Sequence, residues 1–314
     1  MKQDHYYTSQ DGKTCIHAIE WIPDNTPQAI LQICHGMNEY IGRYDRFASF
    51  LAENGFYVTG NDHLGHGESV QNDDMYGYFH ESKGNEYVIG DIHTLREITS
   101  QKYPGIPYFM LGHSMGSFLL RQYITLHGQG LKGVIIMGTG SQPGIVLNIA
   151  KFLCKNAARS KGWHYRSHFI NNLAVGGYNK KFQPSRTPVD WLTRDTAVTD
   201  AYIRDPWCTF TFTVNAYYHM FRGIEQLQDP ANIARIPKDL PMFLVSGAED
   251  PVGGFGKGVT KAYQTYQNAG IRDLSMKLYP DDRHELLNEL DKNQVDQDLL
   301  QWMEARQTDP CLRG

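Results

Sequence analysis

Apolar residues follow the chain in two alternating patterns, short continuous runs and runs spaced at helical intervals. Continuous runs predict buried strands at 29–34, 56–61, 108–111, 133–137, 242–245 and 274–278. Helical spacing predicts helices near 44–54, 88–98, 118–123, 262–268 and 286–305. Two β-rich runs around the turn pair Asp11-Gly12 predict an antiparallel hairpin over 6–21. Strands that alternate with helices predict an α/β protein with a mostly parallel, doubly wound sheet.

The alternation is interrupted once, between residues 140 and 241. A gap of about 100 residues is far longer than an ordinary connection between two strands of one domain. Helical spacing continues inside the gap, so we expect residues 141–236 to form an inserted helical cap. Residues 1–140 and 237–314 would then form the α/β core. Open α/β sheets bind ligands beyond the carboxyl ends of their strands, where such a cap would lie.

Charge and composition narrow the class of protein. The 30 Lys and Arg residues nearly balance the 34 Asp and Glu residues, which gives a net charge of −4. This balance argues against a nucleic-acid partner, because nucleic acids favour a basic surface. No apolar run approaches the roughly 18 residues of a membrane span, and the first residues lack the apolar stretch of a signal peptide. We expect a cytoplasmic protein, with peripheral membrane contact as an alternative, and the sequence predicts no oligomeric state.

The cysteines carry no recognisable pattern. Five of them are scattered along the chain without a C-x-x-C pair, at Cys15, Cys34, Cys154, Cys208 and Cys311. An odd and unpatterned set argues against a disulfide framework and against a structural zinc site. We therefore expect free thiols.

A G-x-S-x-G pentapeptide at 112–116 directly follows a predicted strand and precedes a helical pattern. A serine hydroxyl is a weak nucleophile that needs exposure and an adjacent base. A sharp turn from strand to helix exposes it, and flanking glycines allow that turn. The pattern predicts that Ser114 is a nucleophile; the alternative is an ordinary glycine-rich turn.

A nucleophilic serine requires a base and an acid, each in a loop after a later strand. Asp250 follows the predicted strand at 242–245, and His284 lies between the last strand and the last helix. The order Ser, Asp, His is the one that this architecture uses. His284 would accept the proton of Ser114, and Asp250 would orient the imidazole. Other loop carboxylates remain as alternatives to Asp250, namely Glu249, Asp281 and Asp282.

Acyl transfer also needs hydrogen-bond donors for the oxyanion. The backbone N–H of Met115, directly after the serine, is one candidate. The other is the N–H of Met37, in the loop after the strand at 29–34, where Gly36 allows close approach to a substrate. The alternative for this loop is a plain glycine turn.

A metal site is the alternative interpretation of the segment NDHLGHGES, which holds Asp62, His63 and His66. Zinc sites usually have a further, well-spaced set of ligands, and a Ser-His-Asp triad needs no metal and no cofactor. We expect this segment to be a structural loop that supports the active site.

These residues together resemble the α/β-hydrolase superfamily, and within it the branch of monoglyceride lipases, lysophospholipases and serine aminopeptidase-like hydrolases. The resemblance covers nearly the whole chain and depends on HGMNEYIGRY (35–44), NDHLGHGES (61–69), DWLTRD (190–195), GHSMGS (112–117) and SGAEDPV (246–252). Asn38 and Tyr40 stand where that branch usually has glycine and histidine, and Ser117 where it often has a second glycine. The resemblance implies contacts of Glu39 and Arg43 with a polar headgroup; a loop-stabilising ion pair is the alternative.

The resemblance and the triad together predict a serine hydrolase for carboxylic esters of acyl lipids, such as monoacylglycerols or lysophospholipids. The expected partner is thus a small amphiphilic ester. Two alternatives remain open, an aminopeptidase of the same superfamily and a non-catalytic binding protein with the same fold.

The predicted cap begins with an unusually basic stretch. Residues 151–186 contain eight Lys or Arg residues and no Asp or Glu. Helical spacing places Lys151, Lys155 and Arg159 on one stripe. A second stripe is apolar and consists of Ile145, Ile149, Phe152 and Leu153. A basic amphipathic helix can lie on an anionic lipid surface, so we expect transient membrane contact. The alternative is a solvated helix that packs on the core.

Overall fold

The computed structural model describes residues 1–307, so the thiol predicted at Cys311 lies outside the described residues. Its central feature is a sheet of eight strands. The strands are β1 (Lys2–Thr8), β2 (Cys15–Trp21), β3 (Ala29–Cys34), β4 (Phe56–Asn61), β5 (Tyr108–His113), β6 (Gly133–Met137), β7 (Met242–Gly247) and β8 (Leu274–Tyr279). Every predicted strand is therefore present, and the four described cysteines outside Cys311 are free thiols.

Strand pairing makes the sheet mostly parallel, in the order β1-β2-β4-β3-β5-β6-β7-β8. Strands β1 and β2 form an antiparallel hairpin, and β2 is antiparallel to β4. From β4 onward neighbouring strands are parallel. The predicted mostly parallel sheet with an N-terminal hairpin is confirmed. Because parallel strands end at one edge, the loops after β3, β5, β7 and β8 meet there.

Helices connect the strands and extend beyond them. They are α1 (Asp45–Glu53), α2 (Gly84–Lys102), α3 (Met115–His127), α4 (Gly144–Lys161), α5 (His168–Ala174), α6 (Thr196–Arg204), α7 (Pro206–Thr209), α8 (Val214–Leu227), α9 (Pro230–Ile233), α10 (Lys257–Asn268) and α11 (Lys292–Gln307). Short 3₁₀ helices lie at Ile41–Tyr44, Asp73–Met75, Tyr178–Phe182 and Leu286–Asn288.

One predicted helix is wrong in its extent. The pattern over 286–305 predicts a single helix, but the chain forms a 3₁₀ turn, leaves helical geometry at Glu289 and begins α11 only at Lys292. Glu289 is fully buried, and its carboxylate accepts hydrogen bonds from the backbone N–H groups of Arg194 and Arg283. These bonds hold the backbone in an extended conformation that interrupts the helix.

Apolar side chains alternate between the two faces of the sheet, as the pleat of a strand requires. In β6, Val134 and Ile136 pack into a core with residues of α2 and α3. Ile135 and Met137 of the same strand pack into a second core with residues of α1 and α11. Burial on both faces explains why the strands have continuous apolar runs rather than an alternating pattern.

Residues 141–236, which we call the inserted segment, lie between β6 and β7 and contain helices α4 to α9. Two parts of it differ. The docked segment, residues 190–210, forms hydrogen bonds with loops of the core, for example from Thr193 to the carbonyl of Asn288. The second part is the α4–α5 pair, residues 144–161 and 168–174. Within residues 1–307, its side chains form hydrogen bonds only to other residues of the inserted segment, for example from Lys151 to Glu225.

Candidate active site

Ser114 lies at a sharp turn between β5 and α3. Its backbone adopts φ 53° and ψ −121°, which is left-handed and strained for a residue other than glycine. Gly116 makes the turn possible, because a Cβ there would lie 2.0 Å from the carbonyl oxygen of Cys34. The turn therefore presents Ser114 at the carboxyl edge of the sheet, in front of the N-terminus of α3.

His284 and Asp250 form a buried pair. His284 Nδ1 lies 3.0 Å from Asp250 Oδ2. The hydroxyl of Ser246 and the backbone N–H of Val252 also donate to the Asp250 carboxylate, at 3.1 and 2.8 Å. Burial raises the pKa of Asp250, but the charge and hydrogen bond of His284 outweigh it and hold the pKa below its ordinary value. An ionised Asp250 can thus keep the proton of the imidazole on Nδ1.

The other loop carboxylates have different partners. Glu249 forms an ion pair with Lys181, and Asp282 forms one with Arg194. Asp281 occupies a left-handed turn position with φ 63°. Of the four candidate carboxylates, only Asp250 contacts His284 among residues 1–307.

The imidazole of His284 is held between two aromatic rings. Its ring centroid lies 4.7 Å from that of His113 and 5.1 Å from that of Trp191. Its Nε2 is buried and has no hydrogen-bond partner among the described residues. Ser114 and His284 line the same cavity. The arrangement restricts the imidazole and leaves its Nε2 without a partner in the described residues, which suits a general base.

The predicted oxyanion donors lie beside the serine. Met37 and Met115 line the cavity together with Ser114. A Cβ on Gly36 would lie 3.0 Å from Ser114 Cβ, so the loop at 35–40, which we call the oxyanion loop, passes directly next to the serine. Among the described residues, neither the Met37 nor the Met115 N–H has an acceptor. Both amides can therefore receive a negative oxygen, and the N-terminus of α3 adds a favourable dipole at Met115.

Glu39 and Arg43 belong to a buried network under the site. The Glu39 carboxylate accepts from the N–H of Gly36 and lies 3.0 Å from His113 Nδ1. Arg43 donates two hydrogen bonds of 2.8 Å to Glu285 and one of 3.1 Å to Glu39. Both residues thus have the contacts of a loop-stabilising ion pair, and a headgroup contact stays a prediction.

Charge in this network is shared between Glu39 and His113. Burial raises the pKa of Glu39, but the hydrogen bond and charge of His113 together with Arg43 bring it below its ordinary value. Burial lowers the pKa of His113, and the carboxylate of Glu39 more than restores it, so the net direction is upward. Contact with Glu39 therefore favours the protonated form of His113, the direct neighbour of Ser114.

A cavity of about 300 Å³ opens above these groups. Core and inserted segment both contribute to its wall, which is mainly apolar and includes Phe118, Leu147, Ala150, Leu173, Tyr178, Trp191, Met220, Phe221, Ile224 and Val252. The two carboxylates at its wall, Glu39 and Glu285, are both bound to Arg43. The cavity offers an apolar chain a desolvated space next to Ser114.

Among the described residues, Asp62, His63 and His66 do not come close enough together to hold a metal ion. Asp62 lies 2.8 Å from His17 Nδ1, and His63 and His66 each have one ring nitrogen near a backbone carbonyl oxygen. A second cluster, in the connection between β8 and α11, consists of the carboxylates of Asp282, Glu289 and Asp291, which lie within 4.8 Å of one another. Arg194 donates a hydrogen bond to each of them. The described acidic cluster is thus occupied by a guanidinium.

Sequence reasoning missed several residues of the site. His113 lies next to Ser114 at a variable position of G-x-S-x-G, and its contact with Glu39 has no local signal. Trp191 and Arg194 belong to the stretch DWLTRD, which supported the family resemblance but did not predict their contacts at the site. Tyr202 lines the cavity and donates to the carbonyl of Asn38, far away in sequence. Helical spacing gave no indication of that pairing.

No helix in residues 1–307 has the length and apolar character to cross a membrane. The surface of the α4–α5 pair is nevertheless apolar. Ile145 is 71% exposed, Phe152 63% and Phe169 67%. Lys151 binds Glu225, and Lys155 lies over the ring of Tyr218. The apolar stripe of α4 therefore faces solvent at Ile145 and Phe152, and the buried face is formed by Leu147, Ala150 and Cys154.

Comparison of the sequence with known proteins identifies a family and several relatives. The family model Hydrolase_4, described as serine aminopeptidase, S33, matches residues 25–291. The chain belongs to this family. The hydrolase is 27% identical to the monoglyceride lipase of Homo sapiens over 301 residues, which cover 91% of this chain and 86% of the relative. It is 25% identical to the monoacylglycerol lipase of Mycolicibacterium smegmatis, over 96% of this chain and 97% of the relative.

Solved structures agree with the fold. A thermostable carboxyl esterase from Bacillus coagulans, in complex with glycerol, superposes with a TM-score of 0.91 at 28% identity. The match covers 98% of this chain and 99% of the esterase. The predicted α/β-hydrolase fold is confirmed, and these relatives identify the chain as a carboxylic ester hydrolase.

Proposed function

We propose that the hydrolase cleaves esters of a long acyl chain with a small polar headgroup, of the monoacylglycerol or lysophospholipid type. The observation that carries the proposal is the placement of Ser114 and His284 at the wall of a mainly apolar cavity, with the buried Asp250 bound to His284. In this proposal the three residues form a catalytic triad, and the N–H groups of Met37 and Met115 form the oxyanion hole.

The geometry supports a two-step acyl transfer. Ser114 Oγ attacks the ester carbonyl while His284 Nε2 takes its proton, and the carbonyl oxygen becomes an oxyanion at the two amides. The C–O bond to the alcohol then breaks, and His284 returns the proton to the leaving alcohol. Water, deprotonated by His284, attacks the acyl-enzyme and releases the fatty acid, and Ser114 regains its proton. Asp250 stabilises the imidazolium throughout.

Two features support an acyl lipid as substrate. The cavity wall is mainly apolar, and its volume of about 300 Å³ suits a flexible chain rather than a folded peptide. Relatives that cover most of the chain act, by name, on monoglycerides. Arg43 binds both carboxylates that line the cavity in the described part of the chain, Glu39 and Glu285. This leaves no free carboxylate there for a substrate amine, which argues against the aminopeptidase alternative.

We further propose that residues 141–236 act as a cap that collects its substrate from a lipid surface. Val146 and Leu173 are exposed and also line the cavity, so the apolar surface of the α4–α5 pair continues into the site. Exposed apolar patches mark interaction sites. The excess of Lys and Arg over residues 151–186 favours an anionic bilayer as the partner.

A fluorescent fluorophosphonate tests the proposed chemistry. The wild-type hydrolase should be labelled, and Ser114→Ala should lose both the label and at least about 1,000-fold of its ester hydrolysis. Ser160→Ala, an exposed serine on α4, serves as the control and should retain both. Labelling or undiminished hydrolysis by Ser114→Ala would overturn the proposed nucleophile.

A substrate panel tests the class. Monoacylglycerols and lysophospholipids of equal chain length should be hydrolysed much faster than aminoacyl anilides. Faster cleavage of the anilides would assign the hydrolase to the aminopeptidases. If the wild-type chain binds these amphiphiles but turns over none of them, the binding-protein alternative is correct.

A further inference from the structure

The oxyanion loop is bonded to the docked segment at three points. The Asn38 side-chain amide donates to the carbonyl of Phe210. The hydroxyl of Tyr202 donates to the carbonyl of Asn38 over 2.9 Å. The hydroxyl of Tyr40 donates to the Asp205 carboxylate, also over 2.9 Å. Each bond joins residues that are more than 160 positions apart in the chain, so only the folded inserted segment can provide them.

The core holds the other side of the same loop. The Gly36 N–H donates to the Glu39 carboxylate, which is itself fixed by His113, Arg43 and Tyr44. Met37 therefore lies between a core anchor at Gly36 and an anchor on the inserted segment at Asn38. Asn38 has φ 55°, a left-handed conformation that turns the chain sharply after Met37. The direction of the Met37 N–H depends on both anchors.

We propose that Tyr202 and Tyr40 are positioning residues that hold the oxyanion loop in its productive orientation. This inference rests on the proposed function, because it assigns the Met37 N–H to the oxyanion. Tyr202 fixes the peptide after Asn38 through its hydroxyl, and Tyr40 fixes the end of the loop through Asp205. The inserted segment thus completes the catalytic site as well as covering it.

A direct role of Tyr202 in binding the alcohol headgroup is the competing explanation, since its ring also lines the cavity. Two contacts argue against it. The hydroxyl proton is already donated to Asn38, and the guanidinium carbon of Arg43 lies 5.0 Å from the centroid of the ring. The side chain is therefore fixed on two sides by contacts within the protein.

Positioning and headgroup binding predict different kinetics. A loosened oxyanion donor weakens only the transition state, so kcat and kcat/KM fall together while KM is unchanged. A displacement of about 1 Å can cost about 100-fold in rate. We expect Tyr202→Phe and Tyr40→Phe each to lower kcat about 10-fold, when kcat is calculated per fluorophosphonate-labelled active site. The decrease should be the same for a glycerol ester and a p-nitrophenyl ester of the same acyl chain.

Two inhibitors provide a readout that a loss of folding would not change. An alkyl trifluoromethyl ketone forms a tetrahedral adduct with an oxyanion, and an alkyl glyceryl ether of the same chain only fills the ground-state site. The Ki of the ketone should rise about 10-fold in both variants, and that of the ether should remain constant. Tyr217→Phe is the matched control, because it deletes a buried hydroxyl that binds Asn171 within the inserted segment.

Three results would overturn the inference. They are an unchanged ketone Ki, a loss of rate fully explained by fewer fluorophosphonate-labelled sites, and a loss confined to glycerol esters through KM. Ser114→Ala separates these results from failure of the proposed function, since a wrong nucleophile would leave that variant active whatever the tyrosine variants show.

Discussion

The docked segment and the α4–α5 pair belong to one insertion, yet different interactions hold them. The docked segment is bound to the two loops that carry the site: Arg194 to the loop of His284, and Tyr202 to the oxyanion loop. The α4–α5 pair packs through a few buried residues and exposes large apolar groups such as Phe152. One part of the insertion is thus bound to the loops of the proposed catalytic residues, and the other exposes an apolar surface to solvent.

Of the changes considered, removal of Arg194 from the docked segment should have the largest effect on stability. Arg194→Ala leaves the fully buried carboxylates of Asp282 and Glu289 without their guanidinium partner. An uncompensated buried charge is strongly destabilising, so we expect a loss of about 3 kcal/mol in the free energy of unfolding. Urea denaturation followed by tryptophan fluorescence measures it.

The matched control for this prediction is Lys151→Ala, which removes a cation of the α4–α5 pair from an ion pair with the half-exposed Glu225. Such pairs contribute little, and we expect a change within about 1 kcal/mol. Equal losses for the two variants would mean that the insertion is held uniformly, and the contrast between its two parts would be wrong.

Lipid binding tests the proposed role of the α4–α5 pair. The double variant Ile145→Ser/Phe152→Ser should reduce binding to vesicles of phosphatidylglycerol and phosphatidylcholine by about 10-fold, because it removes exposed apolar groups from the proposed contact surface. Co-sedimentation measures the change. Hydrolysis of a water-soluble short-chain ester should be unaffected, since neither residue is part of the cavity wall.

The charge of the lipid provides a second test of the proposed membrane contact. Wild-type binding should weaken when phosphatidylglycerol is replaced by phosphatidylcholine alone, because the basic stretch at 151–186 then lacks an anionic surface. Binding that is indifferent to anionic lipid, or unchanged in the serine variant, would contradict the proposed docking on a bilayer.

A smaller effect concerns the pH dependence of stability, at the carboxylates that bind Arg194 of the docked segment. Burial, with Asp291 and Glu289 nearby, raises the pKa of Asp282 to about 8, against an ordinary value of about 4. Between these values the folded chain holds a proton that the unfolded chain releases, so the stability falls as the pH rises from about 5 to 8. Asp291→Asn removes one repulsive neighbour and should reduce this fall by about 1 kcal/mol.

Unfolding free energies at pH 5 and pH 8 measure the difference. Glu225→Gln, which breaks the ion pair of α4, is the control and should leave the fall between the two pH values as in the wild type. If Asp291→Asn shows the same fall as the wild type, repulsion within the carboxylate cluster does not cause the pH dependence of stability.

Sequence patterns predicted what local geometry determines. Continuous apolar runs predicted the strands because both faces of the sheet are buried, and Ser114 was recognisable because a strand, a glycine-bounded turn and a helix follow in order. The order of Asp250 and His284 after later strands placed them at the same edge. These features depend on residues close in sequence or on a topology that leaves few alternatives.

Contacts between distant segments had no such signal. Helical spacing identified an apolar stripe on α4, but Ile145 and Phe152 face solvent while Leu147 and Ala150 are buried, because the position of α8 decides which side of α4 is covered. The interruption at Glu289 follows from its bonds to Arg194, a residue of the inserted segment. Neither fact is contained in the local sequence.

The loop from 282 to 285 has a consequence for the entropy of the reaction. Its four successive side chains are bound in different directions: Asp282 to Arg194, Arg283 to the carbonyl of Asp190, His284 to Asp250, and Glu285 to Arg43. The rotational freedom of the imidazole is therefore lost when the chain folds. Substrate binding has little left to order at this loop, and the proposed base meets each new ester already in place.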